Sequence, residues 1–249
     1  MDRTDILVDA LGILFPDEPF FDGATQGKQG VKARHDILSL LVETSKMRKV
    51  DILEVGSWTG LSALTWGGAI HGHCPDYGSI TCVDRWRPYV SQPDLAKGHI
   101  YTKMNDMLST GLAYALFLHN TKFMAPHVGF SHRVGTLSEV RDSLGQYDLI
   151  YLDGSHYYAD VLRDLKESHS LLRDGGILCG DDLELQLHEA DEALTRQNTE
   201  RDFIFDLDGR AFHPGVTLAV GERLGEVWEM GGVWAARKNG DTYDKFDFK

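Results

Sequence analysis

Apolar positions along this chain switch between two spacings. Val50–Val55, Tyr147–Leu152 and Gly176–Gly180 are short, nearly unbroken apolar runs of strand length, the pattern of strands buried on both faces. Leu61–Ile70 and Tyr158–Leu172 place their apolar residues at helical spacing instead. Ser79–Val83 and His127–Val134 read as two further strands, separated by an insertion, Arg87–Phe123, with a helical stretch at Met104–His119. Ahead of the first strand, Val31–Lys49 sets Ile37, Leu38, Leu40, Leu41 and Met47 on a helix. Its basic end, Lys46, Arg48 and Lys49, suits the negative end of the helix dipole. After the fifth strand, Val216–Leu224 reads as a helix, and Val227–Met230 with Val233–Arg237 as an antiparallel pair turning through Gly231-Gly232.

The recurring order of strand, turn and helix predicts an α/β fold: a Rossmann-like doubly wound, mostly parallel seven-stranded sheet with an antiparallel C-terminal strand and an N-terminal helical extension. The extension covers residues 1–30, where Ile6, Leu7, Leu11, Ile13, Leu14 and Phe15 make a short helix that residues 16–23 break. The main domain spans 31–238, and 239–249 is a polar tail expected to fray. At 249 residues the chain can bury a core without disulfides. Cys74, Cys82 and Cys179 have no paired spacing, so reduced thiols and a cytoplasmic location are expected. The start, Met1 to Asp5, lacks the basic and apolar stretches of a signal peptide, and no run approaches membrane-spanning length. A formal charge of −13 repels the phosphates of nucleic acid and of anionic membranes, so neither is an expected partner.

The first strand runs into Glu54-Val55-Gly56-Ser57-Trp58-Thr59-Gly60 and then into a helix that carries Ser62 in its first turn. Gly56 and Gly60 let the backbone turn tightly and approach a ligand, and the helix start offers unpaired N–H groups. A dinucleotide fingerprint would read G-x-G-x-x-G so that a pyrophosphate could sit on the helix end, and this loop lacks that triplet. S-adenosylmethionine (SAM) has no phosphate. Its cationic end suits an acidic Glu54 beside the loop. Asp84 ends the second strand, where a carboxylate can hold ribose hydroxyls. Glu54, Gly56, Ser57, Trp58, Gly60, Ser62, Asp84 and Trp86 are therefore the cofactor candidates. Trp58 and Trp86 could stack on adenine, although large aromatics at strand ends more often serve packing.

A second constellation lies further on. The strand Tyr147–Leu152 ends in Asp153-Gly154-Ser155-His156, and Gly176–Gly180 ends in Asp181-Asp182. In a parallel sheet both strands finish on one edge, which brings Asp153, Asp181 and Asp182 together. Three carboxylates in one place repel unless a cation sits among them. Hard oxygens without a thiolate suit Mg2+, or Ca2+ or Mn2+, rather than structural zinc. Read alone, the paired acids could equally cap a helix or stay solvated.

Together these runs resemble the metal-dependent O-methyltransferases of the macrocin O-methyltransferase type, which act on hydroxyls of natural-product sugars and are distant relatives of catechol O-methyltransferase. The resemblance rests on Leu53–Ser62, Val83-Asp84, Asp153-Gly154-Ser155-His156, the Leu171–Gly176 turn, and Asp181-Asp182 followed by His213-Pro214-Gly215-Val216, and covers roughly residues 30–238. It implies a class I SAM methyltransferase in which Asp153, Asp181 and Asp182 bind the metal, His156 is the general base, and Asp153 also borders the cofactor. Tyr157 and His213 would face the substrate, a small-molecule hydroxyl compound, and association into a homo-oligomer is expected. Relatives often carry an acid after the glycine that follows the third strand, near the adenine. Here Gly135 is followed by Thr136, and these two stand in that place.

Methyl transfer to oxygen needs a hydroxyl made electron-rich, which a divalent cation and a base supply; transfer to nitrogen or carbon needs no such metal. Alternatives within this reading are catechol or phenol acceptors. From other classes come a non-catalytic SAM-binding module, which would need neither the carboxylates nor His156, and a nicotinamide-dependent oxidoreductase, against which the missing glycine triplet speaks. His71-Gly72-His73-Cys74 is read as a surface turn rather than a metal clip. The insertion at Arg87–Phe123 is expected to cover the cofactor end of the sheet and, with the N-terminal segment, to shape the acceptor pocket.

Overall fold

The computed structural model describes residues 17–21 and 32–248. The short helix expected within residues 6–15 lies outside these. In chain order the main elements are α1 (Lys32–Ser45), β1 (Val50–Val55), α2 (Leu61–His73), β2 (Gly78–Asp84), α3 (Gln92–Leu95), α4 (His99–Thr110), α5 (Leu112–Asn120) and β3 (Gly129–Val134). There follow α6 (Leu137–Val140), β4 (Tyr147–Leu152), α7 (Tyr158–Leu171), β5 (Leu172–Gly180), α8 (Glu192–Gln197), β6 (Ile204–Phe205) and β7 (Ala211–Phe212). The last are α9 (Pro214–Leu224), β8 (Trp228–Met230), β9 (Val233–Asn239) and β10 (Thr242–Lys245). The strand order is β10-β9-β5-β4-β1, with β8 on β9, and β2 pairs with β3. This is the mixed α/β, mostly parallel sheet that the alternating pattern predicts.

The chain divides into two compact units. The first comprises residues 1–50 and 57–135. In it β2 and β3 pair in parallel from Ser79↔Gly129 to Asp84↔Val134. Gly111, left-handed at φ 78°, caps both α4 and α5. The single helix read over Met104–His119 is thus two, because a left-handed residue ends one helical run. His71 and His73 sit in the last turn of α2 rather than in a turn beyond it, and bond to the Pro126 carbonyl and the Ser39 hydroxyl. Cys74, Cys82 and, in the second unit, Cys179 are buried, reduced thiols.

The second unit comprises residues 51–56 and 136–249. Here β1, β4 and β5 run parallel, in register at Val55↔Leu152 and Leu152↔Gly180. Burial on both faces explains their continuous apolar sequences; Ile52, Leu53, Ile150, Ile177 and Leu178 are fully buried. α7 buries Val161, Leu165, Ser168 and Leu171, one stripe at helical spacing. β9 pairs antiparallel with both β5 and β8. The tail expected to fray instead forms β10, antiparallel to β9 from Thr242↔Asn239 to Lys245↔Ala236. Phe246, just beyond it, is 2% exposed and lies under the Arg237 guanidinium, with Phe248 edge-on to both Phe246 and Trp228. Apolar burial of these rings outweighs the polar composition that suggested fraying.

Candidate active site

Three adjacent parallel strands of the second unit end in step. The Asp153 N–H donates to the Val55 carbonyl at 2.8 Å, and the Asp181 N–H to the Leu152 carbonyl at 3.2 Å. Gly56 is left-handed at φ 93°, and a Cβ there would stand 1.9 Å from the Asp153 carbonyl oxygen. No side chain fits, so the glycine is what lets the first strand turn away beside Asp153. Glu54, two residues earlier, is fully buried.

These strand ends bring Asp153, Asp181 and Asp182 together, with one carboxylate oxygen of each within 4.8 Å of the others. Asp182 is left-handed at φ 65°, a conformation Asp tolerates better than most residues. His156 meets two carboxylates, with Nε2 3.0 Å from Asp182 Oδ2 and Nδ1 2.7 Å from Asp202 Oδ1. His213 Nδ1 lies 3.0 Å from Glu184 Oε2 and 3.7 Å from Asp182 Oδ1, and its ring stands edge-on to His156 at 4.6 Å. His156, Asp182 and His213 form a second group with metal-binding spacing, sharing Asp182 with the first. Gly215 makes the approach of α9 possible, because a Cβ there would fall 2.2 Å from the His156 carbonyl oxygen. Tyr157 is the residue before α7, and its N–H reaches the Ser155 hydroxyl at 3.4 Å. A water-sized cavity is lined by Asp153, His156, Asp181, Asp182, Val216 and Trp234 among others.

The charges set the protonation states. Burial, the largest influence on His156, pulls its pKa down, but the facing carboxylates of Asp182 and Asp202 outweigh it and leave the group well above the usual histidine range. His213 follows the same balance, lowered by burial and by His156 but raised overall by Asp182 and Glu184. Burial raises the Glu184 pKa, and the bond and charge of His213 more than reverse that. With a carboxylate at each nitrogen, His156 is drawn toward its protonated form, and Nε2 can accept a proton only once it has lost its own proton and the Asp182 contact.

In the first unit, Asp84 organises the glycine loop. Its Oδ2 accepts the Trp58 N–H at 3.0 Å and its Oδ1 the Trp86 N–H at 2.7 Å. Both tryptophans are left-handed, at φ 45° and 42°. The Trp86 indole N–H donates to the Trp58 carbonyl at 2.7 Å, and the Trp86 ring packs on Tyr114 and Phe117 at 4.7 and 4.6 Å. Both rings are largely buried. Ser57, Thr59 and Ser62 are buried too. The hydroxyls of Ser57 and Thr59 have no hydrogen-bond partner among the described residues. Gly135 donates its N–H to the Asp84 carbonyl at 2.9 Å. In the second unit, Thr136 caps α6 in a reciprocal capping box with Glu139.

Asp202 and Glu184, the partners of the two histidines, escaped the sequence reading. Asp202 stands in an irregular stretch before β6 and Glu184 in the turn after β5, and neither belongs to a periodic or spaced motif. The only local signal was His213-Pro214-Gly215, which marks a turn but not its target.

A family described as a methyltransferase domain matches residues 53–183, which hold the glycine loop, Asp84 and all three clustered aspartates. The chain belongs to that family, and it is a class I SAM-dependent methyltransferase. No curated protein sequence matches it. Among solved structures, a calicheamicin methyltransferase is 16% identical, covers 94% of this chain and 91% of its own, and has a TM-score of 0.50. A putative caffeoyl-CoA O-methyltransferase from Staphylococcus aureus is 14% identical, with 96% and 93% covered and a TM-score of 0.48. An O-methyltransferase from Bacillus cereus, solved with S-adenosylhomocysteine (SAH), is 15% identical, with 96% and 92% covered and a TM-score of 0.47. At these identities the likeness is one of fold. Among the described residues no helix is long and apolar enough to cross a membrane.

Proposed function

We propose that this methyltransferase transfers the SAM methyl group to a hydroxyl of a small molecule, a sugar or another natural-product intermediate, and that it depends on a divalent cation. The observation that carries this reading is the cluster of Asp153, Asp181 and Asp182, with His156 bonded to one of its members. The donor set fits: three carboxylates with no thiolate suit a hard cation such as Mg2+. When bound, such a cation polarises an acceptor oxygen and lowers the pKa of its hydroxyl. The need is large. A sugar hydroxyl of pKa about 12 costs roughly 7 kcal/mol to ionise at neutral pH.

The chain's own residues do the rest. Asp182 is shared between the cluster and His156, so drawing its carboxylate to the cluster removes one of the charges that raise the His156 pKa; the ring can then lose its Nε2 proton to solvent and take the acceptor proton there. Asp202 keeps the other ring nitrogen occupied and the ring in place. For the cofactor, the buried hydroxyls of Ser57 and Thr59 are polar groups that a ligand would satisfy. The Asp84 carboxylate, which accepts the Trp58 and Trp86 N–H groups at the end of β2, is assigned to the ribose hydroxyls. Glu54 and Gly56 at the start of this loop, and Ser62, Gly135 and Thr136 after it, complete the cofactor assignment, and Tyr157 and His213 are assigned to the acceptor.

The test is transfer of labelled methyl from SAM to a panel of hydroxylated sugars and phenols, with Mg2+ and with chelator. Product forms with Mg2+ only, and Asp181→Ala abolishes it while SAH still binds. Full turnover in chelator would remove the metal from the reaction.

A further inference from the structure

Asn120, the last residue of α5, is fully buried, and the whole of its side-chain amide is engaged. Its Oδ1 accepts the Phe20 N–H at 2.7 Å, and its Nδ2 donates to the Phe20 carbonyl at 3.0 Å and to the Thr59 carbonyl at 2.8 Å. The neighbouring His119, 1% exposed, donates from Nε2 to the Glu18 carbonyl at 3.0 Å. The paired bonds to Phe20 imitate one rung of a β-ladder, so segment 17–21 is held at a defined register although it forms no strand itself. The third bond goes to the loop between β1 and α2, at the residue before Gly60.

The same end of α5 supports that loop. A Cβ on Gly60 would meet Thr121 Cγ2 at 3.2 Å and Phe117 at 3.3 Å. Phe117 also packs on Trp86, whose indole N–H holds the Trp58 carbonyl. Thr59 and Trp58 thus have their carbonyls fixed from α5 and from Trp86, while Asp84 fixes the Trp58 N–H. A buried, fully satisfied amide is expensive to disturb, because removing one partner strands the others away from water.

We propose that Asn120 is a positioning residue for the cofactor: it couples the docking of segment 17–21 to the shape of the loop that holds SAM. This inference rests on the assignment of the loop to SAM. Linkage makes the coupling reciprocal, so whatever undocks Phe20 weakens SAM, and bound cofactor tightens Phe20 by the same factor.

The experiment is titration calorimetry of SAH on full-length variants, with hydrogen exchange on the wild type. Phe20→Pro removes the N–H that Asn120 accepts, and Phe20→Ala keeps it while losing the ring. The dissociation constant for SAH rises about five- to tenfold in Phe20→Pro relative to Phe20→Ala, and at least as much in Asn120→Ala. Saturating SAH slows exchange of the wild-type Phe20 amide by a comparable factor. Equal SAH affinity in Phe20→Pro and Phe20→Ala overturns the coupling, and the Phe20 pair decides even where Asn120→Ala does not fold. Asp84→Ala separates the two layers. If it loses SAH while Phe20→Pro does not, the loop assignment stands and the coupling falls; if it binds SAH unchanged, the loop assignment itself falls.

Discussion

Gly56 is the residue on which the meeting of β1 and β4 depends, because its missing Cβ leaves room for the Asp153 carbonyl at 1.9 Å from where that atom would be. Gly56→Ala adds overpacking worth about 1–3 kcal/mol to roughly 1 kcal/mol for a left-handed alanine. The variant is expected to lose about 2–4 kcal/mol in denaturant unfolding and to bind SAH poorly; wild-type stability would show that the strand ends have slack. At Asp202 the consequence is kinetic. Asp202→Ala leaves His156 Nδ1 without its 2.7 Å partner and is expected to cut turnover about 10- to 100-fold with SAH affinity unchanged, whereas Asp202→Asn keeps an acceptor and falls between. Unaltered turnover in Asp202→Ala would take His156, or its orientation, out of the rate-limiting chemistry. Gly56, Asp153 and Asp181-Asp182 were legible in the sequence because strand ends in a parallel sheet place their residues predictably. Asp202 was not, since a loop carboxylate is brought to its partner by tertiary structure and leaves no periodic trace.

Among the elements, the C-terminal strand shows how composition can mislead. The segment after Lys238 is rich in charge, yet Tyr243, Phe246 and Phe248 outweigh it once β9 offers an edge to pair with. Lys238 caps the other end of this arrangement, its Nζ donating to the carbonyls of His169 and Leu172 at the end of α7. Phe246→Ala is expected to cost about 3–5 kcal/mol in denaturant unfolding, the range for an aromatic removed from a core; a loss near zero would return the tail to the frayed state its composition suggests. Burial raises the Tyr243 hydroxyl to about 12, with Arg223 opposing. A raised folded pKa favours the protonated phenol, so this contribution to stability is whole below about pH 10 and fades as pH approaches 12. Ultraviolet titration of wild type against Tyr243→Phe reads it as one late-ionising tyrosine, and a difference spectrum centred near pH 10 would contradict the burial. The central strands were readable for the opposite reason: Val50–Val55 and Tyr147–Leu152 are buried on both faces, so their apolar runs leave little ambiguity, and their observed bounds match those read from sequence.

For the whole molecule, the dominant electrostatic fact is an excess of acid, −13 overall, with three of those carboxylates gathered at Asp153, Asp181 and Asp182. Folding has to oppose that local repulsion, and a divalent cation bound only by the folded cluster would oppose it too. Linkage gives the size: cation at 100 times its dissociation constant adds about 2.7 kcal/mol. For a chain of 249 residues, each kcal/mol moves the melting temperature by about 2–4 °C, so chelator-treated protein is expected to gain about 5–10 °C on addition of Mg2+, Ca2+ or Mn2+. Asp181→Asn makes the argument specific. It removes one charge from the cluster, so the metal-free variant should melt no lower than the metal-free wild type, and it should lose most of the cation-dependent gain. A general effect of ionic strength would raise both proteins equally, and equal gains, or no gain with any of the three cations, would leave the clustered carboxylates without a metal to hold.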